Sequence, residues 1–314
     1  MEKLRIVFMG TPEFAVGILD AIIKHDYNVV GVITAVDKPA GRGQKLKYSA
    51  VKEYAMAHNL KLLQPTNLKD ADFLAELKEL NANLQVVVAF RMLPEVVWKM
   101  PKLGTFNLHA SLLPNYRGAA PINWAIINGE TKTGVTTFFL DDKIDTGAMI
   151  LSKETPISFE ENAGDLHNRL MLIGSGAVVE TLALIENGTA TTTIQKDTSD
   201  LKAAHKLNKD NSKIDWTKSG IEIYNLIRGL TDPSAWCFIK DGDKEWNVKI
   251  YAAKVHLEAH NLKTGSLVST KKELKIAVKD GFIELLSLQF PGKKRITTKE
   301  LLNGMVFSES AIAL

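Results

Sequence analysis

Apolar runs alternate with amphipathic stretches through the first half of the chain, which predicts an α/β protein built on a Rossmann-like parallel sheet. In the last third, short apolar runs are separated by turn residues, which predicts a smaller OB-like β-barrel domain after it. The length of 314 residues agrees with two domains, at roughly 100–200 residues each.

The first strand is the apolar run at 4–9, which ends at Gly10-Thr11-Pro12. Thr11 can cap a following helix, and Pro12 suits its first turn. Phe14, Ile18, Ala21 and Ile22 then recur at helical spacing. Residues 28–34 read as a second buried strand. Residues 35–49 are basic, glycine-rich and aperiodic, and read as a long loop. Helical patterns cover 50–58 and 70–80, and further strands are expected at 84–89 and 105–109. This order describes a parallel sheet covered on both faces. Strand-like runs at 134–139 and 149–157 follow. A long amphipathic helix at 162–186 closes the first domain, which spans 1–188. A Thr-rich stretch and then aperiodic charges mark a linker at 189–210. The second domain spans 211–314, with a helix around 221–230 and strands at 236–239, 246–252, 265–269, 274–277 and 282–288.

The bulk composition narrows the function. Cys237 is the single cysteine, so no intrachain disulfide forms, and a reducing compartment such as the cytoplasm is expected. The apolar run at 6–9 is too short for a signal peptide. No stretch approaches the ~18 apolar residues of a membrane span. The net charge of +3 is unevenly spread. Residues 205–314 carry 18 Lys+Arg against 13 Asp+Glu, and the rest carries 21 against 23. The positive charge lies in the last third, as for a polyanionic partner or a solvated basic surface.

The sharpest chemical signal lies at 106–121. Asn107 and His109 stand two apart near the end of a strand, so both project to one side of the sheet. The C-terminal edge of a parallel sheet is where open α/β proteins bind ligands. A carboxamide beside an imidazole can donate hydrogen bonds to a developing oxyanion. Asp145 can orient an imidazole, raise its pKa, or take a proton through water. The turn at 10–15 lacks the second and third glycines of a dinucleotide cradle, which argues against NAD. In His256-Leu257-Glu258-Ala259-His260 the glutamate stands in the wrong place for a zinc hydrolase, and no metal is expected.

Asn107-Leu108-His109, Ser111 to Gly118 and Asp145-Thr146-Gly147, in that order, resemble the pattern of the folate-dependent formyltransferases. Residues 10–15, the loop at 37–46, Ile214-Asp215-Trp216 and residues 288–294 are similar to the branch of that family that formylates charged initiator tRNA. The resemblance covers essentially the whole chain. It implies a Rossmann-like formyltransferase domain that binds a reduced folate, joined by a linker to a barrel that holds tRNA. The implied reaction transfers the formyl group of 10-formyltetrahydrofolate, a co-substrate, to the α-amine of methionyl-initiator tRNA for translation initiation. Asn107, His109 and Asp145 take the catalytic roles. Ser111, Leu112, Leu113 and Pro114 wall the folate site. Arg42, with Lys38 and Lys45, serves a loop that enters the tRNA acceptor stem. A cytoplasmic monomer without membrane attachment is expected.

One departure stands out. Phe90-Arg91-Met92-Leu93-Pro94 replaces the family's Tyr-Gly before Leu-Pro, so Arg91 occupies the glycine's place and points to solvent or to the folate's acidic tail. Arg117-Gly118 reads as a structural clamp, with the arginine bonding loop carbonyls and the glycine adopting a positive φ; Arg117 facing substrate is the alternative. Two other functions compete. An amino-sugar nucleotide formyltransferase shares the catalytic core. A non-catalytic RNA-binding protein explains the basic barrel but not Asn107, His109 and Asp145 together.

Overall fold

The computed structural model describes residues 3–40 and 45–314. They form two compact units. In chain order the first elements are β1 (Arg5–Gly10), α1 (Glu13–Lys24), β2 (Asn28–Ile33), β3 (Lys38–Ala40), β4 (Lys45–Lys47), α2 (Ala50–Ala57), β5 (Leu62–Leu63), α3 (Ala71–Glu79) and β6 (Leu84–Val88). Next come α4 (Glu95–Trp98), β7 (Thr105–His109), β8 (Arg117–Gly118), α5 (Pro121–Ile127), β9 (Lys132–Phe139), β10 (Met149–Pro156) and α6 (Ala163–Glu186).

The first unit comprises the described residues of Met1–Pro121 with Thr133–Thr155 and His167–Ala203. Its sheet has the order β10-β9-β7-β6-β1-β2-β5. β5, β2, β1, β6 and β7 run parallel. β9 runs antiparallel to β7, with Asn107 opposite Phe138 and His109 opposite Thr136. The β-α-β alternation up to 105–109 predicts the parallel part of this sheet, and the strand-like runs at 134–139 and 149–157 carry no predicted direction. An apolar run does not encode strand direction, and an antiparallel strand beside an otherwise parallel sheet is common. Thr11 does not cap α1: Pro12 occupies the cap position and no side chain bonds there. The missing N–H of proline is tolerated at that point because the first N–H groups of a helix lack intrahelical partners. The loop at 35–49 is not structureless. β3 and β4 form a short antiparallel ladder with Lys38 opposite Lys47 and Ala40 opposite Lys45.

Ile6, Phe8, Phe106 and Leu108 are buried, as are Val7, Met9, Ile33 and Val87. Both faces of the central strands are therefore covered, and each fully buried aliphatic or aromatic side chain contributes about 1.5–3 kcal/mol. α6 is long and apolar enough to cross a membrane by length and composition, which corrects the expectation that no stretch approaches a span. Leu170, Val178 and Leu182 on it are fully buried. Ser175 Oγ donates to the Gly17 carbonyl at 3.1 Å, and Thr181 and Thr137 share a 2.8 Å hydrogen bond. Gly174 lets the helix approach β7, since a Cβ there would lie 2.7 Å from Leu108 Cδ2.

The second unit comprises Ile122–Lys132, Pro156–Leu166 and Ala204–Leu314. After β11 (Ala203–Ala204) and α7 (Gly220–Gly229) come β12 (Ala235–Asp241), β13 (Lys244–His256), β14 (Leu267–Ser269), β15 (Leu274–Val278), β16 (Gly281–Gln289), β17 (Ile296–Thr297), α8 (Thr298–Leu302) and β18 (Ile312–Ala313). α7 begins with a reciprocal capping box between Ser219 and Glu222. The sheet order is β14-β15-β16-β13-β12-β18, with β17 on β16. Its two edges meet. The Leu267 N–H donates to the Ala311 carbonyl at 3.1 Å, and the Ala313 N–H donates to the Gly265 carbonyl at 2.8 Å. Gly265 has φ +87°, and a Cβ there would lie 2.5 Å from the Ala313 oxygen, so this seam requires glycine. The result is a nearly closed antiparallel barrel filled by Cys237, Ile239, Val248, Ile250, Ile276 and Leu285. The short elements at 296–313 complete it; they are too brief to show a period in sequence. Arg228 on α7 is buried and bonds the Glu161 carbonyl at 2.7 Å and Asn225 Oδ1 at 2.8 Å. Burial holds its pKa below the usual guanidinium value.

Cys237 is fully buried, and burial pushes its thiol up to about 12. The thiolate is the reactive form. Cys237 is expected to resist an aromatic disulfide reagent at pH 8 in the folded protein and to react within seconds in denaturant. Rapid labelling of the native protein would contradict this packing.

Candidate active site

The site is built at the end of β7, where the parallel strands leave their C-terminal edge open. His109 is 6% exposed. Its Nε2 lies 2.7 Å from the Tyr116 carbonyl oxygen. A carbonyl only accepts, so Nε2 carries a proton. Nδ1 then faces Asp145, whose Oδ2 lies 3.9 Å away. That separation is longer than a hydrogen bond and leaves Nδ1 available to a ligand or a bridging water. The Asp145 carboxylate is itself held: the Gly118 N–H donates to Oδ2 at 2.9 Å. The structure thus brings Asp145 and His109 together.

Asn107 occupies the same side of β7, two residues earlier. Its Oδ1 is buried and has no hydrogen-bond partner. Burying an unpaired carbonyl costs about 1–3 kcal/mol. Such an atom is suited to receive an N–H from a ligand.

The strand end leads into a tightly bonded loop. Ser111 is fully buried, and its Oγ donates to the Asn115 carbonyl at 2.7 Å. Thr136 on β9 donates to the Ser111 carbonyl at 2.8 Å and accepts from the Leu113 N–H at 3.2 Å. The Ser111 hydroxyl and carbonyl and the Leu113 N–H are therefore committed within the protein. Leu112 and Pro114 are half-buried, Leu113 is buried, and the Leu113–Pro114 peptide is cis.

Around the Asp145 carboxylate, Tyr116 at +62°, Gly118 at +121° and Asp145 at +57° adopt positive φ. Gly118 follows the sequence expectation. Arg117 does not bond loop carbonyls. Its Nε and Nη2 donate to Gln195 Oε1 at 3.0 and 2.8 Å, and its Nη1 pairs with Asp197 at 2.7 Å. The Gln195 amide donates in turn to the carbonyls of Asp145 and Gly147 at 2.9 and 2.8 Å. Gln195 lies in the stretch that reads as linker, and no pattern around it marks it as part of a site. Tyr116 is anchored by its N–H to the Lys202 carbonyl.

Arg91 is exposed but tied down, with Nη1 donating to the Thr66 carbonyl at 2.9 Å and Nη2 to the Pro65 carbonyl. Beside it lies an open groove of about 820 Å³, lined by Thr66, Leu68, Lys69, Met92 and Pro94 among others. Asn107, His109 and Asp145 do not line it. Lys38 is exposed on β3, and Lys45 lies on β4. Arg42 lies outside the described residues. The ladder leaves the sheet beside Asp37, whose carboxylate accepts from Gln64 Nε2 at 2.9 Å and pairs with Lys52. Those two partners hold the Asp37 carboxyl below the usual range. Among the described residues, no group of three or more His, Cys, Asp or Glu is placed to hold a metal.

A family model described as formyl transferase matches residues 4–182, and one for the formyl transferase C-terminal domain matches residues 206–306. The chain belongs to the formyl transferase family. It is 73% identical to the methionyl-tRNA formyltransferase of Flavobacterium johnsoniae, over 99% of each chain. It is 52% identical to that of Bacteroides thetaiotaomicron, over 98% of each. Its fold is also that of an N-formyltransferase from Helicobacter canadensis solved with folinic acid and dTDP-3-aminofucose (TM-score 0.66, 24% identity, 90% of this chain and 98% of that one).

The Asp-Thr-Gly of this family member ends in a glycine for a steric reason. A Cβ on Gly147 would lie 1.6 Å from the Phe139 carbonyl oxygen. Gly147→Ala is expected to lose about 3 kcal/mol of stability, the upper end of overpacking costs, read as a lowered midpoint in urea, together with most of the activity. A variant of native stability and turnover would show that the loop can move without consequence.

Proposed function

We propose that this formyl transferase moves the formyl group of 10-formyltetrahydrofolate onto the α-amine of methionyl-initiator tRNA, as an early step of translation initiation. The observation that carries the reading is the 73% identity, over 99% of each chain, with a methionyl-tRNA formyltransferase. The likeness to the amino-sugar enzyme is a likeness of fold, at 24% identity. A cytoplasmic monomer without membrane attachment belongs to the same proposal.

The chemistry follows from the strand end. The neutral amine attacks the formyl carbon, and negative charge gathers on the former carbonyl oxygen. The unpartnered Asn107 Oδ1 accepts an N–H of the attacking amine and aligns its lone pair. His109 is oriented through Nε2 and Tyr116, so Nδ1 is the nitrogen turned to the reacting centre, and the imidazolium form donates from it to the oxyanion. Asp145 supplies the counter-charge and receives the amine's proton through water. As the bond from the formyl carbon to the folate nitrogen breaks, the proton returns from Asp145 through water to that nitrogen, releasing tetrahydrofolate and the formamide. Leu112 and Pro114, with the buried Leu113 and Ser111 behind them, wall the donor. The excess of basic residues at 205–314 suits a polyanion. Lys38, Arg42 and Lys45 contact the acceptor end, where a planar guanidinium can bond phosphate or stack on a base.

Transfer of labelled formyl groups to methionyl-initiator tRNA should far exceed transfer to amino-sugar nucleotides. Equal or faster turnover on a sugar nucleotide would overturn the substrate. His109→Ala and Asn107→Ala should each lower kcat by about 10²–10³ while the protein still folds; near-native single-turnover rates would remove the residue from the mechanism.

Arg42→Ala should lower kcat/KM on initiator tRNA without changing folate binding. It should also narrow the preference for initiator tRNA over a mutant with a strong first pair. Unchanged kcat/KM on both tRNAs would make the hairpin a tolerated insertion.

A further inference from the structure

Asp145 has a backbone conformation it does not hold by itself. Its φ of +57° lies in the left-handed region. Aspartate enters that region most readily when its side chain bonds its own neighbourhood. Here the carboxylate is spent elsewhere, on the Gly118 N–H 27 residues away in sequence. The restraint on the backbone comes instead from Gln195, which donates to the carbonyls on Asp145 and on Gly147, two residues further.

Gln195 is suited to hold this turn. It is 8% exposed. Both carboxamide groups are used, nitrogen toward the turn and oxygen toward Arg117. Arg117 decides the orientation of the amide, because a guanidinium can only donate. Turning the amide over would set its NH₂ against the guanidinium and its oxygen against two carbonyls. Asp197 holds Arg117 from the far side. Residues 117 and 118 thus act twice on Asp145: Gly118 on its carboxylate, and Arg117 on its backbone through Gln195.

We infer that Gln195, oriented by Arg117, is a positioning residue that sets the Asp145 carboxylate in its place beside His109. The inference rests on the reading of Asp145 as catalytic. Gln195 bonds neither the Asp145 carboxylate nor the His109 imidazole; it acts by keeping the 3.9 Å spacing between them. A displacement near 1 Å at such a group can cost on the order of 100-fold in rate.

The test measures kcat and both KM values with 10-formyltetrahydrofolate and methionyl-initiator tRNA for Gln195→Ala, Gln195→Met, Asp145→Ala and the double variant Gln195→Ala/Asp145→Ala. Gln195→Met keeps the volume but removes both donors and the acceptor, so it serves where Gln195→Ala folds poorly. Either Gln195 variant should lose kcat by about 10–100-fold with KM values within about 3-fold. In the double variant the Gln195 change should cost less than about 2-fold beyond Asp145→Ala, since there is no carboxylate left to place. A merely structural Gln195 would give full additivity, and that result overturns the inference. So does native kcat in the folded Gln195→Met variant while Asp145→Ala is impaired. If Asp145→Ala itself keeps native turnover, the catalytic reading of Asp145 falls first.

Discussion

The hydrogen bond between His109 Nε2 and the Tyr116 carbonyl is the contact on which the site's arrangement turns. It fixes the ring's orientation and so decides which nitrogen faces Asp145. It also brings the chain back to the end of β7 only seven residues after leaving it. Tyr116 must adopt a left-handed conformation to present its carbonyl, and the Lys202 carbonyl secures it there. The next two residues then reach Asp145, one through a backbone N–H and the other through Gln195. One short loop therefore aligns the imidazole and the carboxylate together. Such preorganisation lets weak groups act strongly, because no reorganisation is needed as charge develops.

That loop is only as rigid as the sheet beneath it. Val87 and Val88 pair in parallel with Asn107 and Leu108, and Phe106 and Leu108 are buried on the other side of β7 from the site. Moving β7 would disturb a close-packed interior, where a shift of one methylene is felt. Gly174 and Gly147 mark where backbone and side chains come too close for a Cβ. Thr136 ties the Ser-Leu-Leu-Pro segment to β9 through both its donor and its acceptor capacity. The site thus sits on strands whose register is set by burial, which is why the loop with Tyr116 and Gly118 and the turn with Asp145 can hold their positive-φ residues.

Much of this is legible in the sequence, because the strands on both sides of the site are buried and reveal themselves as apolar runs. The two-residue spacing of Asn107 and His109 gives their common side directly, since the side-chain period of a strand is 2. The antiparallel direction of β9 is not legible, because direction leaves no trace in an apolar run. The Lys38–Lys47 pairing is hidden for another reason: a three-residue ladder with exposed lysines has no hydrophobic alternation. Arg117 reads as a clamp on its own loop, but its partners are side chains 78 and 80 residues away, and sequence has no local signal for such contacts. Gln195 escapes notice on the same ground. A polar residue in an aperiodic stretch looks like linker until its partners are known.

The chemistry of the strand end leaves a selectivity problem. A carboxamide oxygen without a partner, an imidazole and a carboxylate can assist any neutral amine that reaches the formyl carbon, and a related fold is found in an enzyme solved with an amino-sugar nucleotide. Choice of acceptor must therefore come from groups outside the reacting set. Phosphate contacts supply affinity for nucleic acid but carry no sequence information. An excess of lysine and arginine at 205–314 can thus concentrate tRNA without selecting one. The proposed function gives selection to a group that senses how easily the acceptor end opens, since an unpaired base can stack or bond where a paired one cannot. The basic segment at 38–47 has a composition that meets this need, with lysines for the phosphates and an arginine between glycines that can approach a base closely. In the proposed enzyme, affinity and selection are carried by different parts of the chain, and neither has to disturb the strand end where the amine reacts.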